Sequence, residues 1–200
     1  YWVKVQHDPF RVQIANGPED GFQVSPAHRD RGDGLGELDF SYIGRYHCVE
    51  GWKSETNKAQ KGYITRSAAR AGIHSLGADF WQIDFAQFWY VGMLFLVEFA
   101  DWNGQATIGY GCSVNSNQMN NGQTDSMQYH TGTTAANRSE YGFTQYRNIE
   151  GWWDNVYDWL DGCYYNSAGL NVIKNPNQFS DNAKGVYRKG TGTPRKQQAV

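Results

Sequence analysis

The sequence predicts an α+β fold, and three observations carry the prediction. Apolar and polar residues alternate with period two through the first fifty positions. Two helical patterns follow at about 65–76 and 84–103, and strand-like runs return after a long amide-rich stretch. At 200 residues the chain has the length of one ordinary domain. No internal repeat or interdomain linker divides it, so residues 1–200 are read as a single domain. Because it begins at Tyr1 rather than Met, it is expected to be either a processed chain or a segment of a longer protein.

The strands come first. Tyr1-Trp2-Val3-Lys4-Val5 and Phe10-Arg11-Val12-Gln13-Ile14 alternate, and Asn16-Gly17-Pro18 with Glu19-Asp20-Gly21 marks turns. Gly21-Phe22-Gln23-Val24-Ser25-Pro26-Ala27 reads as a short strand stopped by Pro26. After a polar loop from Arg29 to Gly36, the run Leu38 to Tyr46 alternates again, with Leu38, Phe40, Tyr42 and Tyr46 in phase.

Two helices follow. Ile64, Ala68, Ala71 or Gly72, and Leu76 recur near helical spacing, which predicts a helix from Thr65 to Leu76 stopped by Gly77. Asp84 is the expected N-cap of a longer helix running to about Asn103 and closed by Gly104. Its residues Phe85, Phe88, Trp89, Met93, Leu94, Leu96, Val97 and Phe99 are apolar almost all round, so it is expected to be the most buried element.

From Gly109 to Gly142 the chain is rich in Asn, Gln, Thr and Gly and reads as long loops. The clusters Asn115-Ser116-Asn117-Gln118 and Asn120-Asn121-Gly122-Gln123 have low-complexity character. Tyr110, Met119 and Met127 are spaced through the same stretch, so a buried-loop reading stands beside that one. Next, Trp152, Trp153, Tyr157 and Trp159 fall within eight residues, too dense for a loop in water. Ile149, Trp153 and Tyr157 are four apart, whereas Trp153, Asn155, Tyr157 and Trp159 are two apart, so periodicity does not choose between helix and strand. The expectation is a polar anchor in the core, with Asn155 and Trp159 buried and the Asn155 amide bonded to backbone of neighbouring loops. The alternative is an aromatic platform for a sugar.

Composition narrows the function classes. The chain carries 18 basic and 20 acidic residues, a net charge of -2, which excludes an electrostatic nucleic-acid binder as the default. Its polarity comes from 15 Asn, 14 Gln and 23 Gly rather than from charge. Amide- and aromatic-rich surfaces suit neutral hydrogen-bonding partners such as sugars. Cys48, Cys112 and Cys163 are too few for a disulfide framework and odd in number, so three free thiols and folding in a reducing cytoplasm are expected. The N-terminus lacks a signal-peptide pattern. The most apolar run, Val91 to Phe99, is interrupted by Glu98 and too short to span a membrane.

No catalytic or metal constellation emerges. Nothing places His7, His28, His47, His74 or His130 beside Cys112, and no Gly-x-Ser-x-Gly elbow occurs. Asp33-Gly34-Leu35-Gly36-Glu37-Leu38-Asp39 has oxygen donors around glycines, a faint calcium pattern without the ligand spacing of a calcium loop, so it reads as a solvated turn. Calcium is therefore the only cofactor suggested, and none is expected. Arg31-Gly32-Asp33 matches an adhesion tripeptide on three residues alone. Glu98 with Asp101, and Asp154, Asp158 and Asp161, are read as caps, turns and wet faces rather than a glycosidase pair.

The segment Glu150 to Gly162 resembles the signature of the formylglycine-generating-enzyme-like branch of the C-type lectin fold. Asn155, Val156, Asp158, Trp159, Asp161 and Gly162 carry the match, with Asp154 where the signature has Gly and Asp158 where it has Glu. Three further runs are similar to a subgroup of virion proteins of tailed bacteriophages and prophages: Gly21 to His28, Tyr42 to Tyr46, and Leu94 to Gly109. The four lie in the family's order.

The resemblance implies a C-type-lectin-like domain, two helices around a twisted, mainly antiparallel sheet, with long loops. It implies a non-catalytic virion protein of the tail or receptor-binding kind, assembled in the host cytoplasm. Its partners would be other virion subunits and a host-surface glycan or protein. A capsid-surface decoration protein, or a tail-associated cell-wall hydrolase or other enzyme on the same fold, is the alternative. The cysteine pair of the enzyme branch is absent, since only Cys163 follows the signature. No ligand-binding residue is carried over from the family. Weak single-site adhesion needs several copies, so a homo-oligomer, a trimer first, is expected, with the loops from Gly109 to Gly142 near a subunit contact or an exposed face.

Overall fold

The alternating runs form antiparallel ladders. The computed structural model describes residues 2–6, 11–14, 21–114, 118–167, 169–181 and 188–189. Strand β1 (Trp2–Gln6) pairs antiparallel with β4 (Phe40–Gly44), from Trp2 opposite Gly44 to Gln6 opposite Phe40. Strand β2 (Arg11–Ile14) pairs antiparallel with β3 (Gly21–Val24). After the helices come β5 (Gly132–Thr133), β6 (Thr144–Tyr146) and β7 (Ile149–Glu150), a three-stranded ladder with β6 central. Strands β8 (Cys163–Asn166), β9 (Gly169–Val172) and β10 (Arg188–Lys189) form another, with β9 central.

The architecture is mixed α+β with small antiparallel sheets. Instead of the one twisted sheet expected, the described strands form four separate ladders of two or three strands. The described strands are two to five residues long, so each ladder offers its neighbours only a short row of backbone groups. Phe10, the turn residues Asn16-Gly17-Pro18 and Glu19-Asp20, the amides Asn115-Ser116-Asn117 and the polar tail 190–200 lie outside the described residues.

Helix α1 (Arg66–His74) starts where its cap chemistry places it, with the Thr65 hydroxyl accepting from the Ala68 N–H at 3.2 Å. Helix α2 (Phe85–Phe99) is capped by Asp84, whose carboxylate accepts from the Gln87 N–H at 3.0 Å. It ends four residues before the expected Asn103. Ala100 turns left-handed (φ 52°), and its N–H closes on the Leu96 carbonyl at 2.8 Å. Asn103 does not continue the helix. Its short amide caps a new turn, α3 (Gly104–Thr107), by accepting from the Ala106 N–H at 3.0 Å, so the described residues hold three α-helices where two were expected.

One stripe of α2 makes the core. Tyr90, Val91, Leu94 and Phe95 are buried, four apart in pairs, and pack with Ala27, Ile43, Ile108, Tyr146 and Ile149. Phe95 meets the Tyr146 ring edge-on at 5.5 Å and the Trp153 ring at 6.0 Å. Burying each large side chain contributes roughly 1.5–3 kcal/mol. The helix is not buried all round. Val97 is 72 % exposed, and exposed Glu98 accepts from the Tyr146 hydroxyl (3.0 Å) and from Arg147 Nε (2.9 Å). Among the described residues no helix is long and apolar enough to cross a membrane.

Two ion pairs tie down the helices, one of them to the chain beyond the tryptophans. Arg31 donates to Asp84 at 2.7 Å, and Arg70 of α1 grips buried Asp161 through Nε (2.5 Å) and Nη2 (2.8 Å). The Asp161 backbone also bridges to the start of α2, accepting from the Phe85 N–H (2.9 Å) and donating to the Ile83 carbonyl (3.0 Å). Residues 159–163 are thereby pinned between α1 and α2.

Candidate functional site

The segment 151–162 is neither helix nor strand but a run of bends with left-handed residues at Gly151 (φ 69°), Asn155 (φ 74°) and Gly162 (φ 68°). At Gly162 a side chain would drive into the Phe179 ring, so glycine is required on two counts. Before Asn155 the chain faces the core. Trp152 stacks on Phe88 at 4.8 Å, and the Trp153 indole donates to the Gly109 carbonyl at 3.1 Å. Buried Asp154 accepts from the N–H and hydroxyl of Thr144 at 3.2 and 3.1 Å.

Asn155 reverses the chain. Its side chain mimics a backbone pair, accepting from the Met119 N–H at 3.1 Å and donating to the Met119 carbonyl at 3.0 Å. The amide is satisfied on a distant loop, but the residue is half-buried rather than buried. After the reversal, Val156 is half-buried, and Tyr157 and Asp158 stand in solvent. Trp159 is 54 % exposed, which corrects the expectation that it is a core residue. Its indole N–H donates to the Ile64 carbonyl at 2.9 Å, which holds the ring beside the 46–64 stretch.

Those outward residues, together with an edge of Trp152, form one wall of an open cavity of about 250 Å³. The opposite wall is the turn-rich stretch 46–64, and the back is built by Ala69 and Ile73 of α1 and by residues 81–83 leading into α2. Trp52, Trp81, Tyr63, Tyr157 and Trp159 bring aromatic rings to it. Trp52 lies so close against α1 that a Cβ at Gly72 would overlap its indole, which explains a glycine inside that helix. Trp52 (φ 63°) and Tyr63 (φ 54°) both hold left-handed backbone, which costs an L-residue about 1–2 kcal/mol. Tyr63 and Tyr157 are fully exposed at the rim.

The polar groups of the cleft are paired in opposite signs. His47 Nε2 lies 3.3 Å from Asp158 Oδ2. Burial by itself lowers the His47 pKa, but the Asp158 hydrogen bond and the charges of Asp158, Asp154 and Glu150 outweigh it and leave the imidazole raised. Lys61 pairs with Glu50 at 2.5 Å, and its ammonium sits 4.8 Å from the Trp52 ring centroid. Glu150 is turned to the 122–124 loop, accepting from the Gly122 and Thr124 N–H groups at 2.8 Å each and from the Thr124 hydroxyl. Buried Gln82 donates to the Trp159 carbonyl at 2.5 Å, and its Oε1 has no donor among the described residues.

The other sequence candidates are scattered. All three cysteines are free; burial pushes Cys112 up to about 11 and raises Cys48, which lines the cleft, and Cys163. No His is hydrogen-bonded to any of them among the described residues. Glu98 serves Tyr146 and Arg147, while Asp101 accepts from the Asn103 N–H at 2.9 Å, so the two do not form an acid pair. Asp154, Asp158 and Asp161 go respectively to Thr144, His47 and Arg70. Asp33 accepts from the Leu35 N–H at 3.1 Å, a local turn, and no cluster of metal-ligating side chains occurs among the described residues. Arg31 of the adhesion tripeptide is buried on Asp84 and the Lys174 carbonyl, which withdraws it from solvent. A second cavity of about 430 Å³ lies over that Arg31–Asp84 pair and shares Trp81.

Trp52, Trp81, Tyr63 and the pairing of His47 were not singled out by sequence reasoning. They come from three separated stretches, and nothing in their spacing joins them. No family model matches the chain, and no curated protein and no solved structure matches it either.

Proposed function

We propose that this chain is a non-catalytic binding protein of a bacteriophage virion, of the tail or receptor-binding kind, on a C-type-lectin-like fold. Its partners are a host-surface glycan or protein and other virion subunits, in a homo-oligomer with a trimer first. The observation that carries the binding reading is the open aromatic cleft. It presents rings to solvent, while Glu150 is turned to the 122–124 loop and Asp158 is paired with His47. The raised thiol of Cys48 is a poor nucleophile. The four runs that carry the family resemblance support the fold, because Ala27, Ile43, Leu94, Phe95, Ile108, Trp152 and Trp153 pack in or against one cluster.

The test is co-sedimentation of the purified protein with bacterial cells and isolated walls, with soluble wall fragments assayed in the same tubes. Adsorption without release is the expected result. Release of fragments replaces this reading with a tail-associated hydrolase. Incorporation into particles without adsorption to cells points instead to a capsid-surface role.

A further inference from the structure

We propose that the cleft between residues 46–64 and 149–159 is a seat for one ring of a neutral pyranose sugar. The proposal rests on the binding reading above and deepens it. A pyranose has an apolar face of axial C–H groups and a rim of hydroxyls, so its seat needs a fixed, exposed aromatic face beside hydrogen-bonding groups of balanced charge. The Trp159 indole is fixed, because its N–H is already spent on the Ile64 carbonyl, and the ring remains 54 % exposed. Tyr157 stands fully exposed two residues earlier on the same wall.

Hydrogen-bonding capacity lies next to those rings. Asp158 keeps 41 % of its side-chain surface in solvent and uses one oxygen on His47, which leaves lone pairs for sugar hydroxyls. Gln82 Oε1 is a buried acceptor without a donor among the described residues, on a side chain that lines the cleft and holds the Trp159 carbonyl. Charge selects against an anion. Lys61 is paired with Glu50, and Asp158, Asp154 and Glu150 surround His47, so negative charge at least balances positive there. Lys61 occupies the Trp52 face, whereas the Trp159 and Tyr157 rings stay open, so choline is the control that sets a cation against a neutral sugar there. A cavity of about 250 Å³ is just below the usual size for drug-like ligands and suits one ring with the rest of a chain outside.

The experiment is saturation-transfer NMR and tryptophan fluorescence on the full chain. The probes are methyl β-D-glucopyranoside, methyl β-D-galactopyranoside and N-acetylglucosamine, with choline chloride and glucose 6-phosphate as charged controls. At least one neutral probe should bind at millimolar affinity, with saturation strongest on its ring C–H protons. Trp159→Ala should weaken it about tenfold, and Tyr157→Ala and Asp158→Asn about threefold each, with the circular dichroism unchanged. If Trp159→Ala does not fold, the fully exposed Tyr157 decides. Binding of only a charged control, no binding of any neutral probe, or wild-type affinity in Tyr157→Ala and Asp158→Asn overturns the proposal. Cell adsorption measured in parallel separates the two claims. Wild-type adsorption with no sugar binding removes the seat and keeps the adhesion role, whereas sugar binding without adsorption does the reverse.

Discussion

Trp152-Trp153-Asp154 and Tyr157-Asp158-Trp159 are nearly the same chemistry placed on opposite sides of the pair Asn155-Val156. In the inner triplet Trp152 stacks on Phe88, Trp153 meets Phe95 edge-on and Asp154 is buried against Thr144. The outer triplet leaves Tyr157 fully exposed, Trp159 54 % exposed and its acid on His47 in an open cleft. Side-chain composition therefore does not decide burial here. The left-handed Asn155, clamped at both ends of its amide to Met119, decides it by reversing the chain. Aromatic density marks a core in the first triplet and a surface in the second.

If that division is real, the largest effect of any ring deletion in the segment falls on the inner side. Trp153→Ala removes a ring packed on Phe95 and on Gly104, together with the indole bond to Gly109. It should cost about 3 kcal/mol in urea unfolding, the low end for an aromatic truncation because Trp153 is half-buried. A loss below about 1 kcal/mol would mean that the inner triplet is as dispensable as the outer.

The reversal itself is the next target. Asn155→Ala takes the acceptor from the Met119 N–H, leaves the Met119 carbonyl on Gln60 Nε2 alone and puts alanine in left-handed backbone, for an expected loss of about 2 kcal/mol. Asn155→Gly keeps the turn and loses only the clamp, so it should recover part of that loss. Equal losses in the two variants would show that the Met119 clamp, rather than the backbone conformation, holds the triplets apart.

This contrast explains what was legible in the sequence. The starts of α1 and α2 were, because Thr65 and Asp84 act on N–H groups three residues away. So was β4 as a strand, but not its buried face: of the in-phase residues Phe40 and Tyr42 are exposed, and Ile43 between the phases enters the core. The end of α2 was not, because Ala100 has no side-chain reason to turn left-handed and only the folded chain holds it there. The cleft was illegible for a similar reason. Trp52 and Tyr63 reach it through left-handed backbone that ordinary residues seldom adopt, and Trp81 and Trp159 arrive from far along the chain. Asn155 was read as an amide needing backbone partners, yet its effect on Trp159 depends on its φ angle, which residue type alone does not specify.

On the outer side, Trp159→Ala should cost only about 1 kcal/mol, through the bond to Ile64 and the covered part of the ring. Thermal unfolding should place it well above Trp153→Ala. A cost equal to that of Trp153→Ala would return Trp159 to the core and dissolve the contrast.

The smallest effect separates the two acids by pH. His47 is raised in the fold above its ordinary value of about 6.5, against the lowering effect of burial, by the Asp158 hydrogen bond and by the charges of Asp158, Asp154 and Glu150. A raised imidazole contributes stability that is fully present below about 6.5 and is lost as pH rises through its folded value, because the folded state holds the proton more tightly. Urea unfolding between about pH 5.5 and 8.5 should therefore show stability falling with pH, and Asp158→Asn should flatten that slope. The amplitude should be a few tenths of a kcal/mol, since Asp158 is part-exposed and solvent screens the pair. Asp154 responds differently, because burial raises its carboxyl despite the bonds from Thr144. Its Oδ1 has no donor among the described residues, so Asp154→Asn removes a buried charge and should leave stability at neutral pH unchanged or higher. If Asp154→Asn abolishes the slope and Asp158→Asn does not, the inner acid governs His47, and the cleft wall is not the separate outer surface that the two triplets imply.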